Sequence, residues 1–194
     1  MKKKRILALF LAAVSCLSLA VSASAANTPN RKATDFRDFD RTAWYAEAVS
    51  AAVDNGLLYG KSSSIIDPNG DMTRAEMAAI INRSFGCYKA ADISQYKDVS
   101  KSKWYYKDVA LAVQMGTYNG RSSSAMAPDA PISRQEAMTV VARALELDYD
   151  SYSKTDLSAF SDRSEISSWA LPYVRAMVGA DYIHGRGKLL APLD

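Results

Sequence analysis

A mainly α fold of tandem helix-loop-helix repeats is the class this sequence predicts, on three observations. First, the chain repeats itself at an offset of 60 residues with no gap: Trp44-Tyr45 returns as Trp104-Tyr105, Gly56 and Gly60 as Gly116 and Gly120, Ser62-Ser63-Ser64 as Ser122-Ser123-Ser124, and Pro68 as Pro128. Self-similarity at a fixed period marks supersecondary units stacked on a shared core. Second, apolar residues recur at helical spacing, and each run stops at a glycine. Third, Thr73-Arg74-Ala75-Glu76 and Ser133-Arg134-Gln135-Glu136 each write a capping box ahead of a second apolar run. A site built on repeats is built more than once, which favours binding over catalysis.

The N-terminus comes first. Lys2-Lys3-Lys4-Arg5 leads a mostly apolar stretch from Ile6 to Val21, which ends in Ala23-Ser24-Ala25. This order predicts a secretory signal peptide, residues 1–25, cut after Ala25. The stretch is short of the roughly 20 apolar residues a membrane span needs. Ala13-Val14-Ser15-Cys16 also loosely resembles a lipoprotein cleavage box, but Ala13 is a poor first residue and the apolar run continues past Cys16. Four of the 24 basic residues and none of the 21 acidic ones lie in the signal, so the rest carries 20 against 21, a net charge of −1. A near-neutral chain lacks the concentrated basic footprint that nucleic acid demands. Only Cys87 remains after the signal, so no internal disulfide forms, and a chain of this size buries a useful core without one. Cys87 is expected to be a buried small hydrophobe.

Residues 26–34 read as a polar lead-in. In the first repeat, Trp44, Ala48, Val49, Ala52 and Val53 make one apolar stripe, and Gly56 ends the helix in the left-handed conformation glycine accepts. In the second, Trp104, Val109, Ala112 and Val113 hold the same face and Gly116 ends it. The connection over 57–71 is rich in Gly, Ser, Asp and Pro, a shaped loop. Second helices then run through Arg83 and through Leu145, and 92–99 and 147–160 link the units. The third copy is degraded: Phe160-Ser161-Asp162, Trp169, Val174, Val178 and Gly185 match the second at offsets of 64 or 65, with Asp181 in place of the helix-ending glycine. It has no Thr-Arg-Ala-Glu equivalent within the sequence, so either the unit is short or the sequence is part of a longer protein.

Arg74 and Arg134 each stand directly after an N-cap. A cation there is mildly unfavourable, because the helix N-terminus already carries partial positive charge and unpaired amides. Its recurrence at one repeat position points to an anion nearby. Arginine's planar fork suits a carboxylate or phosphate. The competing reading is an ion pair with an acid of the protein, such as Asp38 or Asp98. Trp44, Trp104 and Trp169 stand near helix starts, open to core packing or to stacking on a sugar face. Lys61 and Arg121 follow Gly60 and Gly120 and precede the serine runs, a setting suited to a polyhydroxylated anion or to an ordinary solvated turn. The stretch from Asp67 to Ala78 starts like a calcium loop, but Met72 stands where glycine is required and Ala78 where the bidentate glutamate belongs. No metal ligand cluster, cofactor motif or nucleophile elbow is present, and the one histidine, His184, lies only in the degraded copy.

In order, Phe36-x-Asp38, Trp44-Tyr45, Ala48-Val49, Ala52-Val53, Gly56-Leu57, Gly60, Asp67-Pro68 and Thr73-Arg74-Ala75-Glu76 resemble the S-layer homology repeat. Tyr96-Lys97-Asp98 to Glu136 resembles a second copy and Phe160 to Asp194 most of a third. The resemblance implies repeats at 35–94, 95–158 and 159–194, the last incomplete, in a pseudo-threefold, mostly helical assembly with grooves between prongs. It implies a non-catalytic module of an exported bacterial protein, placed at the cell wall or cell surface, whose grooves bind secondary cell-wall polysaccharide carrying a pyruvate ketal. Arg74 and Arg134 match the family's acid-binding arginine. Trp44, Trp104, Asp38, Asp98, Gly60, Gly120, Lys61 and Arg121 complete the expected ligand-binding set. The third repeat offers no arginine at that position, so at most two grooves are expected to be fully equipped. The alternatives are an anchor fragment of a larger surface enzyme or S-layer protein, and a wall-glycan hydrolase resting only on unassigned carboxylates.

Overall fold

The computed structural model describes residues 31–194. The expected signal peptide, with Cys16, and most of the expected lead-in lie outside these residues. Five helices follow in order: α1 (Ala46–Asp54), α2 (Arg74–Phe85), α3 (Tyr106–Gln114), α4 (Arg134–Ala144) and α5 (Leu171–Gly179), with short 3-10 turns at Ala33–Asp35 and Arg163–Glu165. Among the described residues only isolated β-bridges occur, and no helix is long and apolar enough to cross a membrane. Both capping boxes form. The Thr73 and Ser133 side chains accept from the amides of Glu76 and Glu136, whose carboxylates accept from the cap amides in return. The stops form too: Gly56, Gly116 and their replacement Asp181 all take positive φ, at 67°, 72° and 68°.

The first helix of each copy starts later than the apolar stripe suggests. Trp44 and Trp104 stand in the turn ahead of α1 and α3 rather than on them, and each indole meets the neighbouring tyrosine edge-on. That tyrosine, not the tryptophan, is the buried ring: Tyr45 and Tyr105 are enclosed while Trp44 is 90% exposed.

The loops are built to one plan. An aromatic residue at the start of each copy, Phe36, Tyr96 or Phe160, lies against Gly60, Gly120 or Gly185 so closely that a Cβ there would collide with its ring. Two residues on, an aspartate clamps the loop. Asp38 accepts from the amides of Ile66 and Asp67, Asp98 from Met126 and Ala127, and Asp162 from Leu190 and Ala191. The second amide of each pair belongs to a non-glycine residue at positive φ: Asp67 at 54°, Ala127 at 54° and Ala191 at 48°. Such a backbone costs of order 1–3 kcal/mol and persists only where its surroundings hold it; here the carboxylate does.

Packing departs from the sequence repeat in a way that decides everything downstream. The backbones of the two helices of one copy do not come close; the close helix pairs are α2 with α3 and α4 with α5. One core joins Ala75, Ala78 and Ile81 of α2 to Tyr105, Val109, Ala112, Tyr118 and Met126 of the second copy, and to Val140 and Ala144 of α4. Another joins Met138 and Ala142 of α4 to Phe160, Ala170, Val174, Met177 and Leu190 of the third. The closest helix pairing is therefore between the second helix of one copy and the first half of the next, and α4 lends side chains to the cores of both copy two and copy three. The first half of copy one, with no such helix among the described residues, forms a smaller cluster of Ala33, Phe36, Val53 and Ile66.

Candidate functional site

The motif arginines sit at these junctions. The α2 N-terminus enters the loop of copy two, where the amides of Arg74 and Ala75 donate to the Ala130 and Pro128 carbonyls at 3.0 and 2.9 Å. The α4 N-terminus does the same in copy three, Arg134 and Gln135 donating to Asp194 and Pro192 at 2.7 and 3.0 Å. The unpaired amides of each helix start thus find acceptors within the protein, as carbonyls of the next copy.

The Arg74 guanidinium completes the junction. It is 5% exposed, stacks on Tyr118 at 5.2 Å, and donates from Nε to the Met126 carbonyl at 3.0 Å. Its terminal nitrogens reach the Asn119 carbonyl at 3.2 Å and Glu136 Oε1 at 3.0 Å. Its internal ion-pair partner is therefore Glu136, two motif positions on in the repeat, and neither Asp38 nor Asp98, both of which are spent on loop amides. Burial lowers the Arg74 pKa, opposed by the charge of Glu136. Burial pushes the Glu136 carboxyl up, but hydrogen bonds from Arg121 and Ser133 and the charge of Arg74 outweigh it, and the net is below the usual carboxylate range. Arg134 is less committed: half-buried, with Nε donating to the Leu190 carbonyl at 3.0 Å.

Two grooves open beside the second helices. The first, of 460 Å³, lies between the copy-one loop and α2, lined by Gly60, Lys61, Glu76 and Arg83 and closed by Trp104 of copy two. The second, of 520 Å³, repeats it one copy on, with Gly120, Arg121, Glu136 and Arg143 and with Trp169 of copy three. Their chemistry differs. The second holds Arg74, Arg121 and Arg143 against Glu136 alone. The first holds Lys61 and Arg83 against Asp67, Asp71 and Glu76, and no motif arginine enters it. Lys61 is moreover tied to Glu76 at 2.7 Å.

Of the residues expected from sequence, the second groove brings together Arg74, Gly120 and Arg121, and the first Gly60, Lys61 and Trp104. Arg134 and Trp44 line neither. Asp38 and Asp98 hold loops, and Gly60 and Gly120 also admit the neighbouring aromatic ring. The serine runs are turn-forming: Ser62 Oγ accepts from the Ser64 amide, and Ser122 Oγ from Ser124 and Ala125. Cys87 is half-buried, its Sγ near the Lys89 and Leu111 carbonyls at 3.6 Å. Sequence reasoning missed Glu136 and Arg143 as lining residues. The signal was available, since Arg83 and Arg143 recur at the same repeat position, nine residues past the motif arginine. Each stacks on a tyrosine, Arg83 on Tyr59 at 4.1 Å and Arg143 on Tyr173 at 4.8 Å.

Comparison with known proteins recovers the same three repeats. The profile of the S-layer homology domain matches residues 35–78, 95–138 and 159–193. The chain is 32% identical over 177 residues to the Surface-layer 125 kDa protein of Lysinibacillus sphaericus, covering 91% of this chain and 14% of that one. It is 26% identical over 190 residues to an Endoglucanase of Bacillus sp. (strain KSM-635), covering 94% and 19%. It is 26% identical over 138 residues to the Cellulosome-anchoring protein of Acetivibrio thermocellus, covering 66% and 30%. The chain thus spans less than a third of the length of these relatives. Three matched repeats, each with its aromatic-aspartate clamp, place this chain in the S-layer homology domain family.

Proposed function

We propose that this chain is a non-catalytic anchoring module that holds an exported protein at the bacterial cell wall by binding an acidic, pyruvylated secondary wall polysaccharide. The observation that carries the reading is the second groove: three arginines against one glutamate, with the half-exposed Trp169 indole at its edge. An indole face supplies apolar area and a polar rim for a sugar ring. Arg121 and Arg143 are the cations with donors to spare for a ketal carboxylate. Arg74 supplies positive charge from beneath, at little reorganisation, because it is already fixed.

The relatives support the anchoring part of the reading. A surface-layer protein and a cellulosome-anchoring protein share these repeats, and an endoglucanase shares them over 19% of its length. A module that recurs beside such different partners is one that positions rather than reacts. This favours the anchor over the hydrolase reading. The sugar-acid part rests on the charge of the groove. Binding of the purified wall polysaccharide, with and without its ketals, to the protein and to Arg143→Ala tests it. Loss of ketals and loss of Arg143 should each weaken binding, and together should add little. Equal binding of both polymers by both proteins would overturn it.

A further inference from the structure

Copy three departs from the other two around one recess. Its offset of 64 at Phe160, against 60 between the first two copies, makes the linker ahead of it four residues longer. Three cations come with the longer linker. Lys154, Arg163 and Arg175 stand where copy two has Ala90, Val99 and Ala110, and the copy-one equivalents of the last two are Phe39 and Ser50. All three line one recess of 420 Å³ between the linker and α5. Gly179 lets the linker lie that close: it replaces Gln114 and Asp54 of the earlier copies, and a Cβ there would collide with Tyr152 and Thr155.

The charge of the recess is unbalanced. Its one acid, Asp156, accepts from the amide and the hydroxyl of Ser158. That turn is the repeat's own, since Asp92 accepts from the Ser94 amide in the same way. Among the described residues none of the three cations forms an ion pair. Arg175 donates from Nη1 to the Ser153 carbonyl at 3.0 Å, while its Nε is shut off from solvent without an acceptor. A buried donor without an acceptor is costly, and an oxyanion on the Nε–Nη2 edge, which arginine's fork suits, supplies one. The recess also lies apart from the second groove. Leu171 and Arg175 are one turn apart on α5, whereas Tyr173, under Arg143, is on its opposite side.

We infer that this recess is a separate anion site, which takes a phosphate group between Lys154, Arg163 and Arg175. A carboxylate offers two oxygens in one plane. A phosphate offers three and more charge, which matches three cations carried by the linker, the 3-10 turn and α5. The inference is independent of the ketal reading, since no residue of the second groove takes part.

The test is an NMR titration of the chain from residue 26 on, at fixed ionic strength, with inorganic phosphate, glycerol 3-phosphate and acetate in turn. The expected result is saturable shifts of the amides over 152–158 and in α5 with both phosphates, and weaker binding of acetate. Arg175→Gln should weaken phosphate binding at least about tenfold, as for loss of charged hydrogen bonds. Lys154 is exposed, so Lys154→Gln should keep the thermal midpoint of the parent and still bind phosphate severalfold more weakly. Whichever phosphate binds tighter tells a phosphorylated polyol from the free ion as the source, and either order supports the inference. No saturable shifts, acetate bound as tightly as phosphate, unchanged affinity in both variants, or shifts centred on Arg121 and Arg143 would each overturn it.

Discussion

Arg74→Ala removes the side chain whose hydrogen bonds tie α2 to the loop of copy two. The Met126 and Asn119 carbonyls lose their donor, and Tyr118 loses its stacked partner. Glu136 loses Arg74 at 3.0 Å but keeps Arg121 at 3.1 Å. Removing one partner of a buried pair costs about 3–5 kcal/mol. With Arg121 still in place the lower end applies, about 3 kcal/mol. In a chain of this size each kcal/mol lowers the thermal midpoint by about 2–4 °C, so the fall should be about 6–12 °C. Arg134→Ala loses a single Nε bond from a half-buried side chain, worth about 1 kcal/mol and about 2–4 °C. Circular dichroism melts of the two variants and the parent, each starting at residue 26, read the difference directly. An Arg74→Ala protein that melts with the parent, or an Arg134→Ala protein that falls as far, would refute the reasoning.

Other outcomes follow from the same geometry. Gly120→Ala should destabilise by at least the 1–3 kcal/mol typical of overpacking, because the new Cβ meets Tyr96 and the Ser122 carbonyl; chemical denaturation measures it. Trp169→Ala, at a half-exposed ring, should change stability within about 0.5 kcal/mol while weakening polysaccharide binding, as read by co-sedimentation. Stability should fall in acid. The carboxyl of Asp162 is held low by the Leu190 amide, and those of Asp98 and Glu136 by their hydrogen bonds against the opposing effect of burial. Groups lowered on folding contribute in full above their unfolded values, near 3.8 and 4.5, and that contribution is lost as pH falls through and below them. Midpoints measured across this range should therefore drop, and Asp98→Asn should flatten part of the drop.

Much of the fold was legible because local chemistry dictates it. Thr73 and Ser133 cap the helices they head, and Gly56, Gly116 and even Asp181 end theirs in the left-handed conformation. The partnering was not legible, since a repeat read along the chain suggests that its two helices pack together. In the structure α2 belongs to the core of copy two, and α4 divides its side chains between the cores of copies two and three. Nothing local in Ala75, Ala78 or Ile81 says which neighbour they face. The same blindness affected the site. Arg74 was read as facing either an external anion or an acid of the protein such as Asp38 or Asp98, whereas its partners in the structure are carbonyls and Glu136 of the next copy, 52 and 62 residues downstream for Met126 and Glu136. Trp44 and Trp104 occupy the same repeat position, yet only Trp104 has a preceding copy among the described residues whose groove it can close.

The most direct measurement is sedimentation of the protein, from residue 26 on, with purified wall sacculi before and after acid removal of the secondary polymer. The account predicts that the protein pellets with intact walls, stays in solution with stripped ones, and is released from intact walls by free polymer. Equal pelleting with intact and stripped walls would contradict it and would place the ligand in peptidoglycan itself.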